Sequence, residues 1–167
     1  ANDLTSITHL MQAAISELQK DFLTPAQVEA SHELMGLDSQ LIEDQTYFVI
    51  ETDNIIVGCG GWSRRATLFG GNHTEGRDNR YLDPEKEAAR IRAMYTHPQW
   101  VRKGIGRLIL ETCEQAAKEE GFSRLELMAT LSGQPLYHAI GFKSGGEFLS
   151  KTSTGIVVPM IKMSKVI

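Results

Sequence analysis

The chain has 167 residues and a formal net charge of −4 at pH 7, and 41% of its residues are hydrophobic and 23% charged. These values are typical of one globular domain spanning residues 1–167, and they exclude a wholly disordered chain and a coiled-coil rod. The acidic balance argues against a nucleic-acid partner. No long apolar stretch and no basic, apolar leader occurs, which argues against a membrane segment and predicts a cytoplasmic location.

The first part of the chain predicts two helices. Apolar residues spaced three, four and seven apart over residues 4–22 indicate an amphipathic helix with one buried stripe. Thr24 and Gln27 then form a possible capping-box pair, and Pro25 stands at the first helical position. Together these three residues predict the start of a second, short helix.

Strands and one well-bounded helix are predicted next. Segments 46–50 and 55–62 are rich in aromatic and β-branched residues and flank a turn-like segment, which predicts a β-hairpin. A long polar loop follows, and strand character returns from Ala88 to Thr96. Gly104 to Glu120 has the apolar spacing of a helix, and Gly121 stands in the terminating position.

The remaining segments complete an α/β pattern. The sequence predicts a strand, a short helix and two further strands, at Arg124–Ala129, Gln134–Ala139, Phe142–Phe148 and Ile156–Met163. The element order is therefore ααββ, βαβ, αββ, with no internal repeat and no linker. This order is typical of a single mixed α/β layer structure.

One segment departs from the acidic average. Residues 88–110 contain no Asp or Glu, and five basic residues within them contribute a charge of +5: Arg90, Arg92, Arg102, Lys103 and Arg107. This local charge predicts an anion-binding site, and the alternative interpretation is an ordinary solvated basic face.

The anion site is expected where the strand gives way to the helix, in the segment from Arg102 to Arg107, here named the 102–107 turn. The first N–H groups of a helix have no intrahelical partner and carry partial positive charge. Gly104 and Gly106 would let a phosphate approach them closely. The alternative is a tight helix start with no ligand.

Two common phosphate-binding sequences do not fit this turn. A Walker A loop requires Lys and Ser or Thr after its last glycine, whereas Arg107 and Leu108 follow Gly106. A dinucleotide-binding fingerprint requires a third glycine at the position of Ile109. Neither an NTPase nor a dinucleotide-binding fold is therefore expected.

The chain resembles the GNAT superfamily of acyl-CoA-dependent N-acetyltransferases over residues 88–142. Four motifs carry this resemblance, in the family's order and spacing: Tyr95-Thr96-His97-Pro98, Arg102-Lys103-Gly104-Ile105-Gly106, Leu136-Tyr137 and Gly141-Phe142. Two features depart from the family pattern. Val101 stands where the family usually has Gln or Arg, and the first helix begins almost at residue 1, so an opening strand is expected to be missing.

The resemblance implies a GNAT-like fold, with a mixed, mostly antiparallel central sheet flanked by helices, and acetyl-CoA as co-substrate. The pyrophosphate of CoA would lie on the amides of the 102–107 turn, and the pantetheine arm would pair with the preceding strand like an extra strand. The implied cofactor-binding residues are Met94, Tyr95, Thr96, Arg102, Lys103, Gly104, Ile105, Gly106 and Arg107.

The resemblance also implies a catalytic acid. Tyr137 occupies the position of the family's tyrosine that protonates the leaving thiolate, and a phenol with a pKa near ~10 is protonated at neutral pH. The alternative for Tyr137 is a half-buried core aromatic. A backbone N–H near Tyr95 would stabilise the oxyanion. Glu87, close to the start of the strand, is the candidate general base, and a water relay is the alternative.

The sequence therefore predicts transfer of an acetyl group from acetyl-CoA to a primary amine of a small molecule by direct attack on the thioester. Two alternatives stay open, namely a non-catalytic acyl-CoA-binding module and an acetyltransferase that acts on a peptide or protein amine. His73, His97 and Cys59 lack ligand spacing, so no metal is expected. The residues do not fix the oligomeric state, although homodimers are common in the family.

Overall fold

A computed structural model describes residues 2–167, and Ala1, which the predicted domain includes, lies outside them. The helices in this part of the chain are α1 (Asn2–Leu18), α2 (Pro25–Leu34), α3 (Ser39–Glu43), α4 (Ile105–Glu119) and α5 (Gln134–Ala139). The strands are β1 (Tyr47–Thr52), β2 (Ile55–Ser63), β3 (Ala89–Thr96), β4 (Arg124–Ala129), β5 (Lys143–Lys151) and β6 (Val157–Val166). No helix among residues 2–167 is long and apolar enough to cross a membrane.

The strands form one six-stranded sheet in the order β1-β2-β3-β4-β6-β5. All neighbouring pairs are antiparallel except β3 and β4, which are parallel. The parallel pair is possible because α4 connects the two strands as a crossover helix, whereas antiparallel neighbours need only short turns. The predicted mixed, mostly antiparallel sheet flanked by helices is confirmed.

Helices cover both faces of the sheet. The largest core packs α4 against β2, β3 and β4, with Ile109 and Cys113 fully buried. On the other face, α1 packs on β2 in a cluster that contains Ile7 and Cys59, and Leu34 of α2 lies in a third cluster with residues of β6. Gly58 of β2 allows the close approach of α4, since a Cβ there would lie 2.3 Å from Ile105 Cγ2.

Most predicted elements are confirmed, and the capping box at α2 is present in both directions between Thr24 and Gln27. The predicted apolar stripes are broader than the buried ones. Leu4 and Phe22 are 44% and 49% exposed, and Phe22 lies beyond the end of α1 at Leu18. Leu108 is 54% exposed, because it lies at the flank of the α4 stripe that buries Ile105, Ile109 and Cys113. The short helix α3 was not predicted.

Candidate functional site

The parallel strands β3 and β4 separate soon after they meet. Their pairing is limited to Ala89 with Leu125 and Arg90 with Glu126. Beyond those residues β3 continues to Thr96 and β4 to Ala129 without pairing to each other. The two facing strand edges therefore have backbone groups available for a molecule that lies between them.

The direction of these backbone groups follows from the β2–β3 register. His97 donates its N–H to Val57 O at 2.9 Å, and Cys59 pairs with Tyr95 in the same register. Because hydrogen-bonded and non-hydrogen-bonded pairs alternate in an antiparallel ladder, the backbone of Tyr95 faces β2 and that of Thr96 faces the gap. Among the predicted pantetheine contacts, Thr96 thus has the appropriate orientation and Tyr95 does not.

A β-bulge changes the backbone direction in the middle of β3. The register with β2 shifts between Cys59 and Gly61, and Ala93 has a φ of 51°. Tyr47 Oη donates to Ala93 O at 3.0 Å. In a trans peptide the N–H points opposite to the carbonyl, so the N–H of Met94 points away from Tyr47. Tyr47 thereby fixes the orientation of the predicted Met94 contact.

The hydroxyl of Tyr95 has a separate role. It accepts a hydrogen bond from Gly36 N–H at 3.0 Å and so connects β3 to the segment after α2. Burial raises the pKa of Tyr95 well above its usual value. Neither this contact nor that of Tyr47 has a local sequence signal, because the partners are 59 and 46 residues apart.

The 102–107 turn leaves the start of α4 without a cap. Arg102 and Gly104 have φ values of 63° and 83°, and no side chain bonds to the first N–H groups of α4. The first helical bond runs from Leu108 N to Gly104 O at 3.0 Å, so the preceding amides have no intrahelical acceptor. Such a helix start attracts anions through its free N–H groups and its dipole.

Positions 104 and 106 of this turn require glycine for different structural reasons. Gly104 needs its left-handed conformation, and a Cβ there would meet nothing within 4 Å, so the space in front of the helix is open. Gly106 has a packing role, since a Cβ there would lie 2.6 Å from Leu136 Cδ2 of α5. The glycine at position 106 is thus required by α5, whether or not a phosphate binds.

Within segment 88–110 the exposed basic side chains all lie in the turn. Arg102, Lys103 and Arg107 are all exposed. Lys103 Nζ lies 4.4 Å from the centre of the Trp100 ring, and Arg107 lies 3.9 Å from Glu111. These cations can reach an anion at the helix start because none of them is held by a close ion pair.

The other two basic residues of segment 88–110 are structural, which corrects the predicted five-residue anion site. Arg90 bonds Glu126 at 2.5 Å. Arg92 is buried, lies 2.8 Å from Asp38 Oδ2 and donates to the carbonyls of Thr67 and Gly70. Burial lowers the pKa of Arg92 to about 10, and the nearby Asp38 opposes this shift. Buried charges of this kind need such partners.

Tyr137 lies in the second turn of α5 and is 8% exposed. Its ring packs edge-on against Phe142 with 5.8 Å between ring centres. Burial, and to a lesser extent the nearby Cys113, raises the pKa of the phenol well above its usual value. Within residues 2–167 its hydroxyl has no hydrogen-bond partner, so a neutral donor is available at this position.

The contacts of Glu87 argue against its predicted role as the general base. Glu87 accepts hydrogen bonds from both terminal nitrogens of Arg80 at 3.0 Å and from Asp83 N–H at 2.8 Å. The bond to Arg80 is the main reason that its pKa falls to about 2. Glu87 also precedes the start of β3, roughly 25 Å of strand away from Thr96. Its ion pair with Arg80 and its distance from Thr96 both disfavour a role as base at the gap.

The free strand edges carry no other candidate base. Residues 91–96 of β3 and 127–129 of β4 include no carboxylate and no imidazole. His97 uses its Nδ1 to accept from Gln99 N–H at 3.1 Å. In the part of the chain that the structure describes, no group of three or more His, Cys, Asp or Glu residues could hold a metal ion.

Comparison with known proteins extends these observations. Residues 8–142 match the acetyltransferase (GNAT) family. A GCN5-related N-acetyltransferase, described as an aminotransferase of class II, from Rhodopseudomonas palustris has a TM-score of 0.72 at 15% identity, covering 99% of this chain and 91% of that chain.

Two further solved structures are similar to this chain, and their names describe different acetyltransferases. A ribosomal-protein-alanine N-acetyltransferase from Brucella melitensis has a TM-score of 0.63 at 15% identity, with 99% and 95% of the two chains covered. The putative acetyltransferase YncA from Salmonella typhimurium, solved with its cofactor acetyl-CoA, has a TM-score of 0.62 at 16% identity, with 99% and 88% covered. At these identities the likeness concerns the fold alone.

Proposed function

The chain belongs to the acetyltransferase (GNAT) family, and from this premise we propose that it transfers an acetyl group from acetyl-CoA to the primary amine of a small molecule. The observation that carries the proposal is the combination of an uncapped helix start with two strand edges that separate beside it. An acyl-CoA requires both features, an anion site for its diphosphate and an extended slot for its pantetheine arm.

The residues at the 102–107 turn fit the diphosphate of an acyl-CoA. The space in front of Gly104 is open, and Arg102 and Lys103 are exposed beside the free amides of α4. Acetyl-CoA supplies the activated acetyl group as a thioester. The backbone of Thr96 and the N–H of Met94 would orient it in the gap, and a backbone N–H there would stabilise negative charge on its carbonyl oxygen.

Tyr137 would donate the proton that the leaving thiolate requires. Because burial raises the pKa of this phenol, it is neutral at every pH at which the enzyme is expected to work. The hydroxyl has no hydrogen-bond partner among the described residues and is not one of their fully buried unpartnered atoms, which supports a group that can reach a bound ligand over a purely structural one.

The acceptor amine would lose its proton to solvent, which replaces the earlier candidate Glu87. An alkyl amine with a pKa near ~10.4 is mostly protonated at pH 7. Since neither free strand edge carries a carboxylate or an imidazole, the rate at a fixed amine concentration should rise with pH as the neutral amine becomes available. Direct attack on the thioester would then follow.

Contacts around β3 support a small acceptor. The segment after α2 is tied to the long loop before β3 by Asn72 N–H to Leu37 O at 2.8 Å and by Ser39 N–H to Asn72 Oδ1 at 2.9 Å. Arg77 adds an ion pair with Asp38 at 2.8 Å. These contacts hold the long loop against the segment after α2, and a loop held there would narrow the access of a peptide chain from that side.

The proposal is tested by an amine-panel assay that measures thiol release from acetyl-CoA and identifies products by mass spectrometry. Background from the protein should be low because Cys59 and Cys113 are buried. Turnover with amino acids, polyamines or aminoglycosides supports the proposal. Turnover with peptides alone overturns the small-molecule acceptor, and acetyl-CoA binding without any turnover overturns catalysis and leaves the binding-module alternative.

A further inference from the structure

The two faces of the sheet differ beside the gap between β3 and β4. On one face, Leu125 and Leu127 of β4 are buried in the core that α4 covers, and the same core contains Tyr137. Met128 points to the opposite face, here named the α2 face, because successive residues of a strand point to opposite sides. Since Tyr137 would act on the leaving thiolate from the α4 side, the α2 face is left for the acceptor amine.

Apolar side chains line the α2 face at the free part of β4. Met128 is partly buried and packs against a cluster that contains residues of α2 and β6. Three other partly buried side chains pack against the same cluster, namely Met35 after α2, Phe69 of the long loop and Leu131 after β4. These four residues, Met35, Phe69, Met128 and Leu131, are here named the apolar rim.

The segment after α2 carries the apolar rim across the gap. Met35 shares its cluster with Met128 of β4. The next residue, Gly36, donates its N–H to Tyr95 Oη of β3 at 3.0 Å. Two adjacent residues are therefore tied to the two strands that separate, so the rim lies beside the free parts of both.

Carboxylates near the apolar rim are already occupied. Asp38 and Glu126 are each ion-paired with two cations, the former with Arg77 and Arg92 and the latter with Arg90 and Lys162. Glu33 of α2 accepts hydrogen bonds from the N–H and Oγ of Ser153, so its carboxylate is directed towards the turn between β5 and β6. The surroundings of the rim thus carry more positive than negative charge.

Given the proposed acetyl transfer, on which this inference rests, we propose that the acceptor is a primary monoamine with an apolar substituent. The apolar rim receives the substituent, and the single amino group points into the gap. A polyamine or an aminoglycoside would bring further ammonium groups to a face with an excess of positive charge. Such groups would lose water without gaining a free carboxylate among the described residues, which is costly.

The surroundings of the rim also favour the reactive form of a monoamine. Loss of water and nearby cations both lower the pKa of an ammonium group, because they destabilise its charged form. An amine on the apolar rim therefore becomes neutral more easily than it does in solution. This effect assists attack at strand edges that carry no carboxylate and no imidazole.

Two amines of equal length test the inference with the unaltered chain. Hexylamine and hexamethylenediamine differ only in a second terminal amino group, which is charged at neutral pH. The value of kcat/KM, measured by thiol release from acetyl-CoA, should be about 10-fold or more higher for hexylamine. The diamine has two reactive ends, so it would be favoured if the site did not discriminate against the second charge.

A carboxylate added to the apolar rim should shift this preference towards the diamine. Met128→Glu and Leu131→Glu should each change the ratio of the two kcat/KM values by about 10-fold or more, and Leu131 lies outside β4, so its variant leaves the strand unaltered. Leu149→Glu is the matched control at a 61% exposed leucine. Phe148 packs against Phe69 of the rim, so its neighbour Leu149 points to the other face, and the control should keep the ratio unchanged.

Calorimetry with CoA separates the possible outcomes. CoA affinity should be unchanged in all three variants, because the 102–107 turn is unaltered. Equal or higher kcat/KM for hexamethylenediamine, turnover confined to polyamines or aminoglycosides, or a ratio that neither rim variant changes would overturn the apolar monoamine and leave the acetyltransferase intact. CoA binding without turnover of any amine would instead overturn the proposed function and this inference with it.

Discussion

The two ends of β3 differ in how completely their polar groups are paired. At its beginning, Arg90 is paired in the sheet with Ser63 on one side and Glu126 on the other, and its guanidinium bonds the carboxylate of Glu126. At its end, β4 has diverged, the strand is bulged at Ala93, and the chain continues into the exposed 102–107 turn.

This difference is more informative than charge alone. Both ends are rich in arginine, and in the sequence they look like one basic segment. The arginines at the beginning of β3 are paired with carboxylates and carbonyls. Arg102 and Lys103, in contrast, have no ion-pair partner in residues 2–167. A cation or amide without an internal partner is available to a ligand, and a paired one is part of the fold.

Blocking the end of β3 that leads into the 102–107 turn, here called the open end, should have the largest effect on ligand binding. Gly104→Glu places a carboxylate in front of the free amides of α4, where it competes with the diphosphate and repels it. Losing two or more charge-assisted hydrogen bonds of about 1.5–3 kcal/mol each predicts at least a ~100-fold loss of acetyl-CoA affinity by calorimetry. The fold should be retained, because an acidic side chain is favourable at a helix N-terminus.

Gly104→Ala separates the effect of the added charge from the effect of the backbone conformation at position 104. Both variants have the same strain at a φ of 83°, and an added Cβ meets no neighbour within 4 Å. The alanine variant should therefore lose less than ~10-fold in affinity, given a left-handed penalty of about 1 kcal/mol. Equal affinities of the two variants would show that the turn does not bind the diphosphate.

Local patterns were enough to predict most strands and the helix α4, whereas the arrangement of the sheet was implied by the family resemblance. Long-range contacts explain most of the errors. The hairpin and α4 follow from side-chain periodicity and flanking turn residues. Arg92 could not be distinguished from Arg102 in the sequence, because its partner Asp38 is 54 positions away, before β1. Asp38 also caps α3 by accepting from Gln40 N–H at 3.2 Å, so the same residue accounts for the missed helix.

The sequence points to a position for the candidate site but not to its detailed contacts. Glycines mark the 102–107 turn at the boundary before α4, whereas the role of Tyr137 is implied by the resemblance to the GNAT superfamily and not by a local pattern. The bulge at Ala93 depends on Tyr47 of β1, and the need for glycine at 106 depends on Leu136 of α5. Such contacts form only when the sheet has assembled, so no local signal precedes them.

Removing the hydroxyl at the open end should have the second-largest effect. Tyr137→Phe should reduce kcat by about 100-fold with little change in KM for acetyl-CoA, since proton transfer would then depend on water. The melting temperature should be nearly unchanged, because the hydroxyl has no partner in the described chain. As burial raises the pKa of this phenol, activity should not decline on the alkaline side below its ordinary value of 10.0.

Tyr81→Phe is the matched control for that variant, because it removes a phenolic hydroxyl near the beginning of β3, here called the paired end. Tyr81 Oη accepts a hydrogen bond from Arg65 at 2.9 Å, and its ring is 61% exposed. The control should lower stability slightly and leave kcat unchanged. If Tyr137→Phe and the control have equal kcat values, Tyr137 is only a core aromatic.

The smallest effect is expected at the paired end, where Glu87→Gln should leave kcat and its pH dependence unchanged. The pKa of Glu87 is about 2 in the folded chain against an ordinary value of 4.5, so its carboxylate is already ionised throughout the working range. Because the folded value is the lower one, its stabilising effect is present above pH 4.5 and is lost as the pH falls towards 2. The difference in melting temperature between the unaltered chain and the variant should therefore be constant near neutral pH and shrink in acid. A variant with a lost or displaced rising limb in its pH–rate profile would return Glu87 to the role of base and would contradict the contrast between the two ends of β3.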